Sequence, residues 1–186
     1  MTTKAYNFSS YFCLGSPRQL FSLLTTGLSA ALLLTGCQTT TTSEYEATAK
    51  TTLTWQVEYS IEPNNDKVPR YEEFASNSLI NRNGEKPEDA VIGPDDKGLW
   101  WPALPPKPSI DEIEQRQKPQ EKHSRAELLR TVQYHMIYQE DGESVRLPTN
   151  HQVYRQVARA YPYNKPLQLT LGVNNGSVEK AEPLGQ

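Results

Sequence analysis

Hydrophobic and polar residues alternate along two stretches of the chain, residues 53–61 and 167–173. The apolar positions are Leu53, Trp55, Val57, Tyr59 and Ile61 in the first stretch, and Leu167, Leu169, Leu171 and Val173 in the second. A period of two is typical of strands that bury one face. We therefore predict a strand in each stretch. We also predict that Asn175-Gly176 turns the second strand back, so that Val173 faces Val178.

Residues 129–147 fit either a helix or a hairpin, and the turn residues favour the hairpin. With Asp141-Gly142 as a two-residue turn, Tyr138 faces Val145 and Met136 faces Leu147. Apolar residues then lie on the same face of both arms, as one buried face of a sheet requires.

Helix start signals occur at four places. A capping box at Ser109-Ile110-Asp111-Glu112 predicts a helix to about Lys118, and a second box begins a short helix at Ser124. Pro69 opens another predicted helix, in which Tyr71, Phe74, Ala75, Ser78 and Leu79 share a face. Asn150 caps a helix that ends at Pro162.

These elements predict an α+β fold for residues 53–180. We expect one small antiparallel sheet of about four or five strands, with a few short helices and one helix against a face. The 14 prolines and 10 glycines in the chain favour a long irregular connection, which we place at residues 62–108. The polar, threonine-rich residues 38–52 predict a disordered tether about 20 Å long. Residues 181–186 are predicted to be a frayed tail.

The first 36 residues have the features of a secretory leader. Lys4 and Arg18 lie near the start with no acidic residue, and residues 20–34 are all apolar or small. This run is shorter than the roughly 20 residues that a membrane span needs. An export signal that is removed is therefore the prediction.

The leader ends in Leu34-Thr35-Gly36-Cys37, which resembles the lipobox of bacterial lipoproteins. The resemblance implies transfer of diacylglycerol to the Cys37 sulfur and cleavage between Gly36 and Cys37. Because Gln38 rather than aspartate follows the cysteine, it also implies an outer-membrane location facing the periplasm in a Gram-negative host. The expected partner is thus a membrane, to which a lipid anchor on Cys37 would hold the protein.

Charge and motifs exclude several classes of function. The net charge is −3, and removal of Lys4 and Arg18 with the leader lowers it to −5, so a nucleic-acid partner is not expected. The histidines, His123, His135 and His151, lack metal-ligand spacing. Serine-nucleophile and phosphate-loop motifs are absent from the sequence. We predict no catalytic residue, no metal site and no cofactor.

Two tryptophans begin a proline-rich segment that is a candidate partner-binding strip. Its candidate residues are Trp100, Trp101, Pro102, Leu104, Pro105 and Pro108. An extended proline-rich segment loses little entropy on binding, and tryptophan dominates many interfaces. The alternative is a linker whose tryptophans hold it across the domain's own sheet.

The sequence therefore predicts a lipid-anchored, non-enzymatic accessory or interaction protein of the cell envelope. The alternative is a module that binds a small ligand or a cell-wall glycan. Its groove would be lined by the tyrosines of the last third of the chain, Tyr134, Tyr138, Tyr154, Tyr161 and Tyr163. A hydrolase with catalytic residues dispersed along the chain is the third possibility.

Overall fold

The computed structural model describes residues 38–61 and 68–185. Within these residues, eight strands form one mixed sheet in the order β1-β7-β8-β6-β5-β2-β3, with β4 paired to β2. The strands are β1 (Thr39–Thr42), β2 (Tyr45–Ser60), β3 (Arg70–Arg82), β4 (Lys122–His123), β5 (Glu127–Glu140), β6 (Glu143–Thr149), β7 (Leu167–Leu171) and β8 (Val178–Pro183). All strand pairs are antiparallel except β6 with β8. The predicted α+β fold with four or five strands is wrong, because the described residues form mostly sheet, with eight strands.

The predicted disordered tether over residues 38–52 is also wrong. Residues 39–42 form β1 against β7, and β2 begins at Tyr45, with Ala47 and Ala49 fully buried. Threonine is polar, but its branched β-carbon favours a strand, and alanine fits where another layer packs closely. Polar composition alone therefore gave a misleading prediction of disorder.

Long strands replace two predicted helices: β3 replaces the one from Pro69, within the predicted irregular connection, and β5 replaces the one from Ser124. Residues 83–108 of that connection form no helix or strand. Strand β3 pairs with β2 over most of its length, and the hydroxyls of Ser78 and Ser76 lie 2.9 Å from those of Thr52 and Thr54. The helix predicted from Ser124 is absent, because β5 begins at Glu127 and pairs with β2. Pairing with β2 overrides the local helix signals in both segments.

The predicted β5–β6 hairpin is confirmed in its register. Tyr138 pairs with Val145 and Met136 with Leu147. Asp141 and Gly142 both have positive φ, 51° and 84°, as this two-residue turn requires.

Two of the predicted helices are confirmed with their caps. Helix α1 (Ile110–Gln115) begins at the Ser109–Glu112 capping box, and α2 (His151–Ala160) begins at Asn150, whose side chain accepts a hydrogen bond from the Val153 N–H. Helix α1 ends earlier than predicted. Among the described residues, no helix combines the length and the apolar character that crossing a bilayer requires.

The end of the chain differs from the prediction at two points. Leu171, not Val173, pairs with Val178, because Val173–Asn175 form a 3₁₀ turn in which Asn174 and Asn175 have positive φ. Ala181 is buried within β8, so the predicted frayed tail is ordered as far as Pro183.

One face of the sheet is covered and the other is open to solvent. Helix α2 and residues 85–108, here called the strap, lie on the covered face. The main core under them includes Ala47, Ala49, Leu99, Met136, Tyr138, Val153, Val157, Leu167, Leu169, Leu171 and Val178. A smaller core forms between Val57 and Tyr59 of β2 and Ile113 of α1. The open face carries Lys50, Ser76, Ser78, Thr131 and Gln133, all exposed.

Candidate functional site

Side chains of the sheet hold the strap in place. The Asn81 side chain accepts a hydrogen bond from the Trp100 N–H at 2.7 Å and donates one to the Trp100 carbonyl at 3.0 Å. Farther along, Trp55 Nε1 donates to the Pro105 carbonyl at 2.9 Å. These contacts pair polar backbone groups of the strap, which has few backbone bonds of its own.

Asp95 organises the turn that precedes the tryptophans. Its Oδ1 accepts hydrogen bonds from the N–H groups of Leu99 and Lys97, and its Oδ2 accepts one from Trp101 Nε1 at 2.9 Å. Burial alone would raise the pKa of Asp95, but these donors outweigh it and lower the pKa below its usual value. The carboxylate is thus a structural acceptor for the strap.

The predicted partner-binding strip is largely occupied by the protein's own contacts. Trp101, Pro102 and Pro105 are buried, while Trp100 and Pro108 are half-buried. Leu104, at 56% exposure, is the one exposed residue of the six. The tryptophans lie across the domain's own sheet, so they offer little surface to a partner in this conformation.

The predicted lipidation and cleavage residues, Cys37 and Gly36, lie outside the described residues. Gln38 lies within them and is bound to the fold. Its carbonyl accepts a hydrogen bond from the Leu171 N–H, and its Oε1 accepts one from Asn175 Nδ2, both at 2.8 Å. Gln38, which follows Cys37 directly in the sequence, is therefore part of the fold.

The three histidines lie apart and make local contacts. His151 Nε2 lies 3.3 Å from the Lys97 carbonyl, and His123 Nδ1 lies 3.0 Å from the Ser124 carbonyl. Burial, with a smaller contribution from Arg146, lowers the pKa of His135. Across residues 38–61 and 68–185, no three histidine, cysteine or acidic side chains lie close enough together to hold a metal ion.

The tyrosines of the last third of the chain contribute to the core. Tyr138 and Tyr154 are buried, and the Tyr134 ring packs 5.7 Å from that of Tyr154. Burial raises the pKa of Tyr154, so its hydroxyl stays protonated at neutral pH. This hydroxyl accepts a hydrogen bond from the Gly84 N–H. The aromatic groove expected for a glycan-binding module is not formed by these three rings.

The outer side of α2 has an arrangement that the sequence analysis missed. The helix buries Val153, Tyr154, Val157 and Ala160 at helical spacing. This periodicity leaves four polar residues exposed on the opposite side, which we call the α2 ridge: Gln152, Arg155, Gln156 and Arg159. At 1.5 Å per residue, the ridge is about 10 Å long.

Grooves flank the α2 ridge on both sides. One groove, of about 370 Å³, separates the ridge from residues 179–182 of β8. The other, of about 360 Å³, separates it from residues 95–98 of the strap. The floor of the second groove includes Gly84, where a β-carbon would lie 2.8 Å from that of Ala158. A side chain at position 84 would therefore push the strap away from α2.

The ridge presents two guanidinium groups without acidic partners. Within the described residues, the ion pairs lie elsewhere, on Arg70, Arg82 and Arg116 around β3, and none involves Arg155 or Arg159. The groove walls carry four acids. Asp95 is bound within the strap and Glu179 accepts a hydrogen bond from Ser177, while Asp96 and Glu182 are exposed and form no ion pair with Arg155 or Arg159.

One sequence signal points to this region. Residues 144–178 contain no aspartate or glutamate, although acids outnumber bases in the whole chain, 22 to 19. The cations in this stretch are Arg146, Arg155, Arg159 and Lys165. The stretch shows charge segregation, but only the burial pattern of α2 shows that Arg155 and Arg159 share an outward face.

Comparison with protein-family models, with characterised proteins and with solved structures gives no match for this chain. The geometry of the site and the leader sequence are therefore the features that bear on function.

Proposed function

We propose that the protein is a lipid-anchored, non-enzymatic interaction protein of the bacterial cell envelope that binds an acidic surface of a partner protein through the α2 ridge. The observation that carries the proposal is the pair of unpaired guanidiniums, Arg155 and Arg159, one helical turn apart between two grooves.

The lipid anchor is supported by the leader and by Leu34-Thr35-Gly36-Cys37. Two or three acyl chains on one cysteine bind a bilayer durably, whereas one chain binds only marginally. Such an anchor would place the domain at a membrane surface, facing the periplasm from the outer membrane if the host is Gram-negative.

Recognition by the ridge follows from the chemistry of arginine. A guanidinium donates two parallel hydrogen bonds to a carboxylate, and arginine is enriched at protein interfaces. The helix that carries the ridge is capped by Asn150 and buries its other face in the core. The guanidiniums therefore stand on a rigid element and lose little backbone entropy on binding.

In vivo crosslinking of the tagged protein tests the proposal. We expect one abundant envelope protein to be captured by the wild type. Its recovery should fall about tenfold or more with Arg155→Ala and Arg159→Ala combined, because one interface hot spot contributes more than about 1 kcal/mol. The matched control removes the same charge from exposed positions away from the ridge, Arg125→Ala with Arg146→Ala, and should not change recovery.

Three results would count against the proposal. Equal recovery from the ridge variant and the control would exclude the ridge as the contact. Cosedimentation with purified peptidoglycan that requires the two arginines would replace the protein partner with a cell-wall glycan. Labelled palmitate that fails to enter the wild type, or that enters Cys37→Ser equally, would exclude the anchor.

A further inference from the structure

We propose that the surface formed by Gln38 and the 3₁₀ turn Val173–Asn175 lies on the phospholipid bilayer that holds the acyl chains of Cys37. The domain would then sit directly on the membrane and not on a flexible tether. This inference rests on the lipid anchor of the proposed function and adds to it a lipid-facing surface.

The chain between the expected anchor, Cys37, and the fold is very short. Consecutive Cα atoms are 3.8 Å apart, and Gln38 follows Cys37 directly. Gln38 is hydrogen bonded to Leu171 and to Asn175, both at 2.8 Å, and Thr39 pairs with Thr170 in the sheet. Acyl chains on Cys37 would therefore bring Gln38 and its partners to the lipid headgroups, because no flexible residues lie between Cys37 and Gln38.

The turn beside Gln38 carries an exposed apolar side chain and no charged residue. Val173 is 88% exposed, so its apolar side chain projects from the turn into solvent. Residues 172–178 contain no charged side chain. The carboxylate nearest this turn is that of Glu179, which accepts a hydrogen bond from Ser177. The apolar tip at Val173 can enter the headgroup region while that carboxylate keeps its hydrogen bond.

The direction of α2 relates the α2 ridge to the turn beside Gln38. The turn and the start of α2 are linked through Glu179, whose side chain accepts from Ser177 and whose carbonyl accepts from Asn150 Nδ2. The other end of the helix leads to Lys165, whose carbonyl accepts a hydrogen bond from the Tyr45 hydroxyl. Lys165 lies near Leu167, the end of β7 that is farther from Gln38. Helix α2 thus leaves the lipid-facing surface and extends about 15 Å from it. The α2 ridge would be held close to the membrane, where it suits a membrane-bound partner.

Spin labelling of the acylated full chain tests this inference. Cys37 would be blocked by lipid and Cys13 removed with the leader, so an introduced cysteine would be the only free thiol. The test variant is Val173→Cys, and the matched control is Ser144→Cys, an exposed position next to the β5–β6 turn. Each labelled protein is placed in vesicles of phosphatidylethanolamine with a minority of phosphatidylglycerol, at high lipid dilution.

On reconstitution, we expect the collision rate of the label at 173 with a water-soluble nickel chelate to fall several-fold. Its collision rate with oxygen should rise. The label at 144 should change in neither. Equal water access at both positions in protein that floats with the vesicles would overturn the inference while leaving the anchor intact. Spin–spin broadening at 173 would assign the surface to a second copy and also overturn it. Protein that is not acylated and does not float would reject the anchor itself.

Discussion

The covered face of the sheet is closed in two different ways, by α2 on one half and by the strap on the other. Helix α2 satisfies its own backbone hydrogen bonds, so the strands beneath it need only apolar side chains such as Leu167 and Leu169. The strap has few backbone bonds of its own. The strands beneath it therefore carry buried polar residues, among them Thr51 and Asn81, both with 0% exposure.

This difference shows how an irregular segment can serve as a layer of the fold. Thr51 donates to the Trp100 carbonyl at 2.8 Å, and Asn81 bonds both the N–H and the carbonyl of the same residue. All buried side-chain polar atoms of the described residues have a partner. The polar residues on the covered face thus pair with backbone groups of the strap, and these hydrogen bonds fix the position of the strap on the sheet.

The largest effect is expected on the α2 half, from Leu169→Ala. Leu169 is fully buried in the main core, and the truncation removes apolar contact and leaves a cavity. We expect the free energy of unfolding to fall by about 4 kcal/mol. Equilibrium urea unfolding measures this, with the exposed Leu104→Ala as the control, for which the change should be below about 0.5 kcal/mol. Similar losses in both variants would show that the main core is not where the apolar stabilisation lies.

On the strap half, the polar variant Asn81→Ala is expected to cost nearly as much, about 3 kcal/mol. The change leaves the part-buried Trp100 N–H without its acceptor and removes a fully buried side chain, and an unpaired buried group costs about 1–3 kcal/mol in addition to the lost packing. Asn77→Ala is the matched control, because Asn77 donates to the Ala103 carbonyl at an exposed site. We expect its cost to stay below about 1 kcal/mol.

Equal stability of the two asparagine variants would break the comparison between the halves. It would mean that the strap is held by its apolar residues, Leu99 and Trp101, in the way that α2 is held. A large loss of unfolding free energy in Asn81→Ala alone, together with a change in its tryptophan fluorescence, would show that the polar contacts position the strap.

Local signals in the sequence predicted the elements whose geometry is local. The Asp141-Gly142 turn fixes the register of β5 and β6 within a few residues, and the caps at Ser109 and Asn150 start their helices for reasons confined to one turn. The strands β2 and β3 pair over distances that no local signal encodes. Thr39–Thr42 is polar enough to resemble a tether, and the apolar residues of Arg70–Arg82 are spaced as on one face of a helix. Only their pairing with β7 and β2 makes these segments strands.

The candidate site was predicted less well than the fold, for a related reason. The tryptophans at 100 and 101 are conspicuous in sequence, but whether a tryptophan serves a partner or the core depends on what lies beneath it. The α2 ridge has no conspicuous motif, since Arg155 and Arg159 gain meaning only from their spacing, their exposure and the absence of acidic partners. The lipobox remains a prediction that the described residues do not test.

A smaller effect, and the sharpest test of the strap, is the pH dependence given by Asp95. The lowered pKa of Asp95 in the folded protein means that its charged form stabilises the fold above its unfolded pKa, about 3.9. This contribution is lost as the pH falls through the lower, folded value. Wild type should therefore exceed Asp95→Asn in unfolding free energy by about 1.5 kcal/mol at neutral pH, the range for hydrogen bonds to a charged group.

The difference should shrink as the pH drops below about 4, since the protonated wild-type carboxyl then resembles the amide of the variant. Asp96→Asn is the matched control, because the neighbouring carboxylate is exposed and should give a difference near zero. Urea unfolding at a series of pH values, followed by tryptophan fluorescence, reports on the strap directly through Trp101. A gap between wild type and Asp95→Asn that stays constant down to low pH would show that Asp95 acts by its shape and not by its charge. The strap would then depend on neutral contacts alone, as the α2 half does.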